Sequence, residues 1–141
     1  VAADDEPVPV AQRSWFAPVW QAADPGAVLF AYAGVCTLVS RRAARIFEVV
    51  HRAAGEATEI AELWATLCRN RRAGADMVVR HATGTGPRRA GLAFDRAVDS
   101  VWMFNDPAHY AALVLELHWP EPDFQQWLGH QMRAALLGEP A

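Results

Sequence analysis

Lysine is missing from this chain: all 13 basic residues are arginine. A phosphate-binding P-loop therefore lacks its ammonium, and GTGPRR at 84–89, its nearest imitation, also lacks the strand-loop-helix setting. That segment reads as a helix-stopping loop. Cysteine is scarce too, with only Cys36 and Cys68, both inside amphipathic patterns. Their spacing builds no disulfide framework, so two buried free thiols in a reducing cytoplasm are expected, with a disulfide as the lesser alternative. No unbroken apolar run approaches the roughly 18 residues of a membrane span. The acidic, Pro-containing start, with Asp4, Asp5 and Glu6, is the reverse of a secretory signal. Serine occurs only at 14, 40 and 100, and none stands beside a base that would activate it.

Charge of one sign is lacking as well. Thirteen basic and 16 acidic groups leave a net −3, without a dominant basic stripe. Such a surface is poorly suited to neutralising DNA phosphates by itself. RRAAR (41–45) and RNRR (69–72) read as solvated helix faces, with Arg69, Arg71 and Arg72 mainly on the outer side.

What the chain does have is helical periodicity. Runs that alternate at period two are absent, and 52% hydrophobic content over 141 residues is enough for one ordinary core. Residues 1–10 form a connector broken by Pro7 and Pro9, and 11–141 the domain. Asp24-Pro25 predicts a helix start by capping and by proline at the first helical position. Val28, Leu29, Tyr32, Val35, Cys36 and Val39 then repeat at helical spacing. Ser40 is a candidate cap for a second helix with Ile46, Phe47, Val50 and His51 inward, ended by Gly55. Thr58 is a candidate cap for a long helix marked by Ile60, Leu63, Trp64, Leu67, Cys68, Ala75, Val78 and Val79. Val98, Val101, Trp102 and Asn105 continue to a restart at Asp106-Pro107. The last faces are Tyr110, Leu113, Val114 and Leu117, then Phe124, Trp127, Leu128, Met132, Ala135 and Leu136. An all-α chain of about six to seven helices is expected.

Several stretches in order resemble the ligand-sensing domain of tetracycline-repressor-type (TetR family) transcription regulators. They are DDEPVP with Trp15, EIAELW (59–64) with Arg71, Arg72, Ala73 and Gly74, and GLAFDRAVDSVW (91–102). The tail adds Trp102, Asn105, Pro107, Tyr110 and Leu113, then Trp119, Phe124, Trp127 and Leu128. Three positions depart from the pattern. Ala93 stands where a Ser or Thr cap is usual, His118 where Gly precedes the Trp, and Pro120 where Ser follows it. The resemblance implies a helical-bundle fold and a DNA-binding helix-turn-helix unit before Val1. It also implies a small-molecule-responsive regulator, a repressor, without enzymatic activity, metal or cofactor. The expected partners are a second copy of the chain, a small, largely apolar effector, and operator DNA through the missing unit, with no membrane.

Phe47, His51, Trp64, Leu67, Trp102, Asn105 and Tyr110 are the candidate effector pocket, an apolar cavity with a few polar handles. Leu113, Leu117, Phe124, Trp127, Leu128 and Met132 are the candidate dimer interface, on the helices through which such regulators pair. The alternative is a helical-bundle enzyme or metal carrier. Glu48 and His51 share a helix face at i, i+3, as in di-iron half-sites, and His109 is a further acid–base candidate. No second E-x-x-H copy accompanies them.

Overall fold

The computed structural model describes residues 12–138; the connector expected over 1–10 lies outside the described residues. A 3-10 turn at Ser14–Phe16 leads into the short helix α1 (Ala17–Gln21). Then come α2 (Pro25–Ala53), α3 (Thr58–Thr85), α4 (Phe94–Phe104), α5 (Pro107–Tyr110) and α6 (Glu121–Leu137). α5 runs on as a π-helical stretch over Ala111–Glu116. No strand occurs among the described residues, so the all-helical expectation holds.

Five helices, α2 to α6, build the bundle, slightly fewer than expected. The main reason is Ser40. It does not cap a second helix but lies buried in the middle of α2, because the apolar repeat from Val35 through Phe47 continues in phase across it. Two further end signals differ. Thr58 is the first helical residue and Ala57 holds the cap position without a side-chain bond. Gly55 lies in the connecting turn, but only Gly91 and Gly138 among the described glycines use the left-handed region. The Asp signals work as expected: Asp24 Oδ1 accepts from Ala27 N at 2.9 Å, and Asp106 Oδ1 from Ala108 N at 2.9 Å. Ala93 does occupy the cap of α4 and offers no side-chain bond.

α2 is the central helix and packs against α1, α3, α5 and α6, while α4 bridges α3 and α6. Its most apolar 18-residue window has a mean hydropathy of 1.2, long and apolar enough for a membrane span by length and composition. That departs from the sequence expectation. Yet 56% of the window is buried inside the chain, as suits a helix surrounded by others. The main core joins Val28, Leu29 and Ala33 of α2 to Val78 and Val79 of α3, Val101 of α4, and Leu128, Met132 and Leu136 of α6. Each of the Val, Leu and Met side chains contributes roughly 1.5–3 kcal/mol on full burial. α2 and α6 meet closely at Gly129, where an added Cβ would collide with the Phe30 ring.

A second, smaller cluster gathers Ala43, Phe47, Val50 and Leu67, with Val39, Ile60 and Trp64 packed on it. It belongs to the far halves of α2 and α3. Ile46, Val49 and Leu63 remain exposed there. The loop after α3 is pinned to the end of α6: Arg89 N donates to Leu136 O at 2.8 Å and Arg89 Nε to Ala135 O at 3.0 Å. At the other corner, between α5 and α6, His118 adopts φ 60°, alone among the described non-glycine residues.

Candidate functional site

A cleft of about 230 Å3 opens where the small cluster meets α5. α2 contributes Ala44, Phe47, Glu48 and His51, at the i, i+3, i+4 and i+7 spacing of one helix face. α3 contributes Trp64. Asp106, Ala108, Ala111, Ala112 and Glu116 form the opposite wall. His51 stacks on Trp64 with ring centroids 4.3 Å apart and planes 6° from parallel, and Phe47 meets Trp64 edge-on at 6.5 Å. Much of the α5 wall belongs to the π-helical stretch. There Leu117 N donates to Ala112 O at 3.1 Å, a five-residue step that widens the helix; such departures recur at functional sites. Small alanines on that wall leave the space open.

Of the seven pocket residues expected from sequence, Phe47, His51 and Trp64 come together at this cleft. Leu67 packs beneath them in the small cluster. The other three do not line the cleft. Asn105 is buried and donates through Nδ2 to Tyr32 Oη at 3.0 Å and to Arg71 O at 3.1 Å. Trp102 lies under the Arg71 guanidinium, 4.9 Å from the ring centre, while Arg71 Nη2 donates to Trp102 O at 2.9 Å. Tyr110 points elsewhere, donating to Glu121 Oε2 at 2.7 Å. Arg41 bonds the same carboxylate and holds it below the usual range, while burial foremost pushes the Tyr110 phenol up to about 12.

Arg71 corrects an expectation directly. It is not on an outer face: its side chain is 10% exposed and binds Asn105 Oδ1 at 3.2 Å, with Asp106 Oδ2 at 3.6 Å. The residues that sequence reasoning missed at the cleft are Ala44, Asp106, Ala108, Ala111, Ala112 and Glu116. For Ala108, Ala111 and Ala112 the only signal was a run of small side chains around Tyr110.

The alternative constellation is not assembled. Glu48 and His51 share the cleft, but His109 lies among the rings of Phe104 and Trp127, with Nε2 2.9 Å from Met103 O. No three His, Cys, Asp or Glu among the described residues are grouped to hold a metal ion. Both cysteines are free thiols; Cys36 is buried and Cys68 half-buried. Burial pushes the Cys36 thiol up to about 12 and the neighbouring Tyr32 phenol well above its ordinary value, so neither is poised as a nucleophile. The arginines of GTGPRR tie the loop to its surroundings, Arg88 to Thr83 and Leu92 and Arg89 to α6.

Of the six residues expected at a dimer interface, Phe124, Leu128 and Met132 are buried in the chain's own core. Leu113 and Trp127 are partly buried against it. Leu117 is 64% exposed, and Met103, on α4, is similarly uncovered. No protein-family model, no curated protein and no solved structure matches this chain.

Proposed function

We propose that this chain is the effector-binding and dimerisation domain of a small-molecule-responsive cytoplasmic transcription regulator of the TetR type, a repressor. The observation that carries the reading is the cleft bounded by Phe47, His51 and Trp64 on one side and α5 on the other. It lies among three helices and has an aromatic side and small-residue walls. At about 230 Å3 it suits a small effector, below the roughly 300–1,000 Å3 of drug-sized sites. The order of motifs from EIAELW to the Phe124–Leu128 segment supports the family, and the all-helical bundle agrees with it.

In this reading a helix-turn-helix unit before Val1 contacts the operator, and exposed Leu117 with Leu113 and Trp127 contributes to pairing with a second copy. A small, largely apolar molecule entering the cleft favours one spacing of α2, α3 and α5. Two DNA-binding units then no longer match both half-sites. The shift is limited to the effector's difference in affinity between the two arrangements.

The test uses the protein made from the whole native gene. Selection from random duplexes should recover a preferred two-fold site, and a compound that releases it serves as the inducer. Ala112→Trp places an indole in the cleft from an exposed helix position. The variant should bind the site as before and lose at least about tenfold in inducer potency. Unchanged release by the inducer, or no preferred duplex at all, would sink the reading.

A further inference from the structure

The charges of the cleft say more than its shape. Glu48, Asp106 and Glu116 share its lining, and no arginine does. Two of these carboxylates are engaged: Glu48 accepts from Arg52 at 3.0 Å, and Asp106 caps Ala108 N and faces Arg71 Nη1 at 3.6 Å. The Glu116 side chain has no hydrogen bond or ion pair among the described residues. Across the space stand the rings of Phe47 and Trp64. Aromatic faces attract cations, and so does a carboxylate. An anion entering here meets the like charge of Glu116, while the other two carboxylates are already offset by Arg52 and Arg71. A neutral molecule would cover Glu116 without giving it a partner, which disfavours binding.

Resting on the reading of this cleft as an effector site, we propose that its ligand is a small aromatic cation. Such a molecule carries an amine or quaternary ammonium on one or two fused rings. The rings lie against Phe47 and Trp64, and the positive charge meets Glu116.

Calorimetric titration of the chain with 2-naphthylmethyl-trimethylammonium, neutral 2-naphthylethanol and anionic 2-naphthylacetate tests the assignment. The cation should bind about fivefold or more tighter than the neutral compound, with the anion weakest. Glu116→Gln should shrink the cation-to-neutral ratio about threefold, and added salt should shrink it in the native chain. Equal affinity for cation and neutral compound, or a ratio indifferent to Glu116→Gln, overturns the charge assignment while leaving an effector cleft in place. Binding of none of the three compounds overturns it too, and the inducer response of Ala112→Trp then judges the cleft separately.

Discussion

His118 sits at φ 60° between the π-helical stretch and α6, in the left-handed region where a side chain crowds the following carbonyl. His118→Gly removes the crowding but adds chain entropy to the unfolded state, so the two effects partly cancel. The expected result is a net gain of up to about 1 kcal/mol in urea unfolding; a loss of stability would show that the imidazole makes up for its backbone. At this scale much was legible in the sequence. Asp24 and Asp106 announced their helix starts, and Ala93 its uncapped one. Ser40 and Thr58 misled because hydroxyl residues signal a cap only where the apolar repeat breaks, and at 40 it does not.

Between elements, Arg71 holds the α3–α4 contact by binding Asn105, the Trp102 carbonyl and Asp106 from one guanidinium. Its placement was written in the spacing after all. Leu67 and Ala75 are buried four residues to either side, so Arg71 falls on the inner stripe, whatever its charge suggests. Arg71→Ala would leave the Asn105 side-chain Oδ1 and the Trp102 carbonyl without that donor, at a cost of about 2–4 kcal/mol. Arg71→Lys should recover little, since a single ammonium cannot replace the fork or lie flat on Trp102. Denaturation midpoints of both variants check this; near-native stability of the Lys variant would mean that charge alone suffices. The π-helical stretch, by contrast, was not legible. Its residues, AALVLE, carry no proline or glycine, and a five-residue hydrogen-bond step leaves no mark in apolar periodicity. The expected pocket gathered aromatics from α4 and α5 and missed the alanines and Glu116 for another reason, since small side chains and a lone carboxylate at ordinary helical spacing carry no mark of a cavity wall.

For the molecule as a whole, the titrating groups bound stability on both sides. Both tyrosines, Tyr32 and Tyr110, have phenols raised by burial, Tyr110 to about 12. A raised folded value means their contribution is complete below the ordinary 10.0 and is lost as pH climbs through each folded value, about 12 for Tyr110. Glu121 is the opposite case. Arg41 lowers it, so its contribution is present above the ordinary 4.5 and is lost as pH falls through the folded value. Because that pair is partly exposed, the acid effect should stay below about 1 kcal/mol. Ultraviolet titration should show no phenolate near pH 10 in the folded protein, followed by joint ionisation and unfolding. Free ionisation of either tyrosine near 10 would contradict the packing described here. One property of this scale comes from α2 belonging to both apolar clusters. Its 29 residues make a rod about 43 Å long, clamped in the main core near its start and touching the cleft near its end. A rod held in that way puts the α1 contact and the aromatic wall of the cleft on one continuous element, so any load at His51 is borne by the same helix that the main core grips at Val28 and Leu29.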